Sequence, residues 1–301
     1  PDRFGGDEAF KQSLEDIPSV LAMFEGDNAL YPNTTGTVIL GEDVGGTPAA
    51  GVIQNIDLFK QSSQQGIAVA RTEVDSLIRR LPLLLRTPDG WVPAYGTEVL
   101  KILVGADTYV IKTNDNGLEE IRVRGLPPVP VDSLGRKWIS FVNTPHTNLK
   151  DMDVQDKFVF IGYTAKGIMP QLATPVGLLE PHMIQASLAE SILIENSPYV
   201  PDYAIALELM LFALSICIVW VLLNVGGMSL GIVLGLTIMI ATTSYGYWTI
   251  QQGLLIDVTW SLISQFITGA TAFYLRFREQ YKLRLQIKQQ FGKYLDPRMV
   301  K

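Results

Sequence analysis

The 301-residue sequence has one cysteine, Cys217, and two histidines, His146 and His182. A single thiol excludes a disulfide framework and any multi-cysteine metal site. Two distant imidazoles leave no histidine-rich metal or acid/base centre. Charged residues make up only 18% of the chain against 48% apolar, with a mean hydropathy of +0.22. That balance excludes a disordered chain and a wholly water-exposed globule. Between residues 203 and 275 there is no Lys or Arg at all, and the acids are reduced to Glu208 and Asp257.

What charge there is sits at the two ends. Residues 1–202 carry 16 basic and 26 acidic residues, net −10, and residues 276–301 carry 8 and 2, net +6. The acidic part excludes a nucleic-acid partner. The uncharged middle resolves into three apolar runs, Tyr203–Leu223, Met228–Trp248 and Leu254–Leu275. Each has about 20 residues, enough to cross a ~30 Å hydrocarbon core as a helix. Asn224-Val225-Gly226-Gly227 and Thr249–Gly253 read as the short connections. Arg276, Arg278, Lys282, Arg284 and Lys288 follow the third run directly, and the positive-inside rule puts them in the cytoplasm. The sequence thus predicts a multi-pass membrane protein, surrounded by lipid, with residues 1–202 extracytoplasmic and 276–301 cytoplasmic. An anchor or signal helix is expected ahead of residue 1. Glu208 and Asp257 fall about one turn inside their runs, as intramembrane functional groups or as carboxylates reaching interfacial water.

The outer part alternates helical and strand patterns. Residues 7–17, Tyr95–Val104 and Leu179–Glu195 read as helices. Ser19–Phe24, Val38–Leu40, Gly51–Ile56, Trp138–Val142 and a compact buried run, Lys157–Gly162, read as strands. Two hairpins are expected: Arg79–Arg86 with Trp91–Pro93, and Tyr109–Lys112 with Glu120–Val123 across Asn114-Asp115-Asn116-Gly117. The fold class is α/β, a mixed-sheet domain followed by three membrane helices and a linker helix.

Catalytic signals are few. Asp151, Asp153 and Asp156 lack the Gly and Glu of a calcium loop, and the glycines of residues 40–46 are not followed by Gly-Lys-Ser/Thr. Ser62 and Ser63 have no partner histidine. No catalytic or metal-binding residue is expected in this chain. Arg79-Arg80 is a candidate anion site, or a pair of surface ion-pairing residues. In the tail, Phe277, Gln280, Arg284, Ile287, Phe291 and Tyr294 follow a 3–4 spacing that fits a parallel coiled-coil seam in a homodimer, or a single amphipathic helix lying on anionic lipid. Pro297 would end this helix at Asp296.

Four segments in order resemble the CHASE domain of type 2, an extracytoplasmic sensor of bacterial signalling proteins. They are Asp75-Ser76-Leu77-Ile78-Arg79-Arg80-Leu81-Pro82-Leu83, with Ser76 where the family has Gly; Trp138-Ile139-Ser140-Phe141; Lys157 to Ala165, followed by Thr174-Pro175; and Ile184-Gln185-Ala186 leading a helix. Phe291-Gly292-Lys293-Tyr294-Leu295 with Pro297 and Val300 resembles the segment joining such membrane regions to class III adenylate or guanylate cyclase domains. The resemblance implies the sensor and transmembrane signal-transducing module of a receptor cyclase, with an unidentified extracytoplasmic ligand at Asp75, Arg79 and Arg80. It implies a signal linker through Arg284, Ile287, Phe291 and Tyr294. No cofactor is expected in this chain; Mg or Mn and ATP would belong to a catalytic domain beyond residue 301. A histidine or serine/threonine kinase output and a purely dimerising scaffold are the rival readings. A tethered hydrolase would need a nucleophile–base pair that the sequence does not offer.

Overall fold

The computed structural model describes residues 5–26, 30–141, 145–147, 154–165, 170–195, 197–225 and 228–294. The chain divides into two compact units, Pro1–Tyr199 and Val200–Lys301.

In the first unit, α1 (Asp7–Asp16) sets Phe10 edge-on against Phe59 of the short α2 (Asp57–Lys60), ring centroids 5.1 Å apart. β1 (Val20–Glu25) lies between β4 (Val52–Ile53), antiparallel, and β5 (Gln64–Ile67), parallel. A second sheet runs in the order β11 (Val129–Pro130), β10 (Gly117–Val123), β9 (Thr108–Asn114), β2 (Gly36–Leu40). Its β9–β10 hairpin turns where the sequence predicts it: the Asn116 N–H donates to Asn114 Oδ1 at 2.9 Å and Gly117 takes φ +125°. β3 (Thr47–Pro48), β7 (Leu84–Thr87) and β8 (Gly90–Pro93) form a third sheet. Two ribbons complete the set, β6 (Arg80–Pro82) with β12 (Arg136–Trp138) and β13 (Leu172–Thr174) with β14 (Gly177–Leu179). The helices α3 (Tyr95–Leu103) and α4 (Pro181–Leu193) cover a core built on Leu81, Leu84, Tyr109, Ile111, Ile184 and Leu188.

The unit is α/β with both pairing senses, but its described residues form five small sheets where one mixed sheet was expected. The cause is visible at Leu83, in the middle of the expected strand Arg79–Arg86. Its N–H donates to the Gly135 carbonyl at 3.0 Å and its carbonyl accepts from the Ala94 N–H at 3.1 Å. The chain therefore leaves one ladder and enters another, with β6 and β7 on either side. Lys157–Gly162 is not a buried strand: among the described residues no ladder takes it, Phe158 and Ile161 are exposed (47% and 75%), and Phe160 packs inward, against Tyr95 at 5.8 Å. The strand expected at Trp138–Val142 stops at Trp138, because the Ser140 N–H turns to Ser191 Oγ on α4 at 3.0 Å. Val142, Asp151 and Asp153 lie outside the described residues.

The second unit holds α5 (Ala204–Val225), α6 (Met228–Gln251) and α7 (Thr259–Tyr294), each packed on the other two. Ala204–Leu222 and Ser229–Gln251 are long and apolar enough to cross a membrane, with mean hydropathies of 2.6 and 1.5. The third expected run does not reach that mark. Residues 254–258 precede the helix, and α7 carries Ser261, Ser264 and Gln265. These polar groups are buried against the neighbouring helices, and Gln265 Nε2 donates to Thr242 Oγ1 of α6 at 3.0 Å. α6 runs on to Gln251, through part of the connection expected at Thr249–Gly253. Asp257 sits before α7, not inside a helix: its N–H donates to Glu208 Oε1 of α5 at 2.8 Å, and its own Oδ1 accepts from the Thr259 N–H at 2.8 Å. The two lone acids thus fasten the start of α7 to α5. From residue 277 to Phe291, α7 is exposed on every side, Ile287 and Phe291 included. Tyr294 is its last described residue, and Asp296, Pro297 and Val300 lie outside the described residues.

Candidate functional site

Asp75, Arg79 and Arg80 come together around a tight turn. Ser76 stands at φ +65°, left-handed backbone that favours glycine, and the Leu77 N–H donates to Asp75 Oδ1 at 3.2 Å. Arg79 clamps Asp75 with two bonds, 2.9 and 2.6 Å, and reaches Glu73 at 3.3 Å. Arg80 donates to the other Glu73 oxygen at 2.6 Å and to Asp132 at 3.0 Å, with its guanidinium 4.9 Å from the centre of the Trp138 ring. Asp132 also accepts from Arg136 Nε at 2.8 Å. The hydrogen bonds from Arg79 hold the Asp75 carboxyl below the usual range, and the same bonds raise the Arg79 guanidinium. Both guanidiniums face carboxylates, so the cluster ties the 73–80 turn to the 132–138 turn.

Beneath this clasp Lys137 is buried, 4% exposed, on β12 directly opposite Leu81 of β6. It has no hydrogen-bond or ion-pair partner among the described residues, and burial lowers its ammonium to about 8.

A second cluster was not anticipated from sequence. Gly66 of β5 passes so close to α3 that an added Cβ would stand 2.6 Å from Tyr95 Cα. This close approach puts Gln64 and Gln65 beside the first turns of α3. Residues 31–35 close the other side, held by the Thr35 N–H on the Trp91 carbonyl (2.8 Å) and by Gln54 Nε2 on the Tyr31 carbonyl (2.9 Å). Between them opens a cleft of about 250 Å³. Glu98 and Lys101 of α3 line it, nearly buried at 1% and 9% exposure. They form an i, i+3 pair at 2.7 Å, and the Tyr109 hydroxyl donates to the second Glu98 oxygen at 2.7 Å. Burial first, then the Glu98 charge, drives the Tyr109 phenol far above its usual range, which keeps it a neutral donor. The available signal was the spacing: α3 contains one acid and one base, three residues apart.

The sequence matches the CHASE2 domain over residues 1–227. The chain belongs to the CHASE2 family. It therefore carries an extracytoplasmic sensor domain of the CHASE type, and the match extends through α5. No curated protein and no solved structure matches it. Within the CHASE2 unit the resembling segments serve the architecture. Gln185 of the fourth segment is buried and bridges two elements, accepting from the Gly96 N–H at 3.3 Å and donating to the Val69 carbonyl at 3.0 Å. Gly162 of the third lies against the His182 ring, whose pKa burial lowers. Among the described residues no group of His, Cys, Asp and Glu could hold a metal ion.

Proposed function

We propose that this CHASE2 chain is the sensor and signal-transducing part of a bacterial receptor adenylate or guanylate cyclase, anchored by three membrane helices. The observation that carries the reading is α7, one unbroken helix of 36 residues. Its first half packs polar groups inward against α5 and α6, which leaves its outer side apolar: Trp260, Ile263, Phe266 and Ile267 are exposed. Lower average hydropathy is what a span with a polar inner face has, since polar residues inside membranes face their neighbours. Its second half is basic and exposed. A helix of this length carries rotation or translation from bilayer to output without a joint. Two copies would pair through Phe277, Gln280, Arg284, Ile287, Phe291 and Tyr294, and the segment resembling the cyclase junction begins at Phe291. We assign the extracytoplasmic ligand to the cleft at α3, which offers about 250 Å³ of open volume, whereas Asp75, Arg79 and Arg80 are bound to one another and to Glu73 and Asp132.

Orientation tests the reading. In a Cys217→Ala background, a single cysteine at exposed Asn116 should react with an impermeant thiol reagent in intact cells. A cysteine at Lys288 should react only after the cells are opened. Labelling of position 288 but not 116 in intact cells would reverse the topology and end the proposal.

A further inference from the structure

We infer that the cleft between β5, α3 and residues 31–35 binds a short aliphatic carboxylate, held by Lys60 and Lys101. The inference rests on the sensor reading for its meaning and on the cleft's own hydrogen-bond accounting for its chemistry.

The charged acceptor of the cleft and two of its amide oxygens are engaged. Glu98 accepts from Lys101 and Tyr109, each at 2.7 Å. Gln54 Oε1 accepts from Lys60 at 2.6 Å, and Gln65 Oε1 from the Asn55 amide at 3.3 Å. The donors are not exhausted. An ammonium has three N–H groups. Lys101 directs one to Glu98 and a second, at 3.4 Å, to Thr35 Oγ1. Lys60 directs one to Gln54 and one to Asp57 at 3.0 Å. Among the described residues each keeps one N–H without a hydrogen-bond acceptor, that of Lys101 with the Tyr109 ring centre at 5.3 Å, and the Thr35 hydroxyl proton has no acceptor either. The occupant that completes this set accepts hydrogen bonds.

Both ammonium groups have one carboxylate partner, Lys101 the buried Glu98 and Lys60 the solvent-facing Asp57, whose side chain is 87% exposed and lies outside the lining, so the case for an anion rests on the donors that remain inside the cleft. A buried ion pair adds little stability over apolar residues of the same size, so Glu98 and Lys101 are better explained by what they present than by what they stabilise. Met23, Pro32 and Pro93 supply a short apolar wall for a hydrocarbon stem. The volume is below the ~300–1,000 Å³ of clefts that take drug-sized ligands, which excludes a nucleotide or a folded peptide.

The test is calorimetry on the full chain in lipid nanodiscs, with butyrate, its uncharged isostere butyramide, and inorganic phosphate as probes. Butyrate should saturate, and butyramide should bind at least about tenfold more weakly, the value of one charge-assisted hydrogen bond. Lys60→Gln, on the rim, should weaken butyrate about tenfold and leave butyramide unchanged. Lys101→Gln should abolish butyrate binding; if that buried change unfolds the unit, Lys60→Gln still decides. Lys112→Gln, on the surface of β9, should change nothing. Equal binding of butyrate and butyramide, tighter binding of phosphate, an unaffected Lys60→Gln variant, or no saturable heat from butyrate would each overturn the inference. A chain that binds butyrate but labels from the wrong side of the membrane would sink the sensor reading alone. A correctly oriented chain that binds none would sink only this one.

Discussion

Two lysines of the CHASE2 unit are buried to similar depth, Lys101 on α3 and Lys137 on β12, at 9% and 4% exposure. Their surroundings are opposite. Lys101 has a carboxylate at 2.7 Å, a hydroxyl at 3.4 Å and the Tyr109 ring centre at 5.3 Å. Lys137 faces the core side of Leu81 and answers burial by giving up its proton more easily, with a pKa of about 8. An ammonium taken out of water must be paired or neutralised, and this domain does one in each place. On α3 the buried charge has a carboxylate partner, while the β6–β12 ribbon buries a lysine with no partner among the described residues, and the turn ahead of it is left-handed at Ser76. Perturbing the first should therefore cost stability, and perturbing the second should return some.

The largest effect is expected at Glu98. Glu98→Leu leaves the Lys101 ammonium buried without its carboxylate and the Tyr109 hydroxyl without its acceptor. It should destabilise the sensor unit by about 3–5 kcal/mol. The double substitution Glu98→Leu with Lys101→Met removes both charges and should recover most of that loss. Denaturant melts of the two variants check the claim. A double variant as unstable as the single one would mean that packing at α3, and not charge, is what Glu98 supplies.

Lys137→Met should act in the opposite direction and with a pH signature. The folded pKa, about 8, lies below the ordinary value of 10.5. Between those two values the unfolded chain binds more protons than the folded one, so stability rises with pH there. Below pH 8 the full burial penalty is present. Methionine removes it, and the gain at pH 7 should be about 2–3 kcal/mol, shrinking toward zero charge contribution near pH 10.5. Around Lys137 the neighbouring ionisable groups, Arg80, Asp132 and Arg136, are engaged with one another in the clasp. Melts at pH 7 and pH 10 decide: an equal gain at both would remove the titration and leave only a packing effect.

The contrast also separates what was legible in the sequence. The sequence pattern located α1, α3 and α4 within a few residues, although of the Phe10, Leu14, Ile17 spacing only Leu14 is buried and α4 is buried on nearly every side. Turn chemistry gave the β9–β10 hairpin, because Asn114 and Gly117 act on their immediate neighbours. The break at Leu83 was not legible, because Gly135 and Ala94, which take its backbone groups, are distant from one another and fixed only by tertiary structure. The apolar run Phe158–Ile161 failed as a strand for the same reason: hydrophobicity does not specify a ladder partner. The third apolar run looked uniform in composition, yet Gln265 and Ser261 give α7 buried polar groups, and it falls short of the apolarity of α5 and α6. At the candidate site, the arginine cluster was visible as a motif but not as a closed network, since Glu73 and Asp132 complete it from outside the pattern. Glu98 and Lys101 were passed over because an i, i+3 pair on a helix is ordinarily solvated; only the close passage of β5 buries it.

The smallest expected effect lies at Ser76. Its φ of +65° is left-handed, and the Ser76 N–H still donates to the Glu73 carbonyl at 2.9 Å, so the conformation is required by the turn. For a residue with a Cβ this region costs about 1–2 kcal/mol, while glycine adds about 0.5–1 kcal/mol of unfolded-state freedom. The difference favours glycine by about 0.5–1 kcal/mol, and glycine is what the family resemblance has at this position. The side chain is exposed, so nothing else is removed. Ser76→Gly should therefore raise the melting temperature slightly at every pH, unlike Lys137→Met, whose gain follows titration. Ser76→Ala, which keeps the Cβ and drops only the hydroxyl, should stay near the parent. If the alanine variant gains as much as the glycine variant, the strain at this turn belongs to the hydroxyl and not to the backbone, and the ribbon's debt is carried by Lys137 alone.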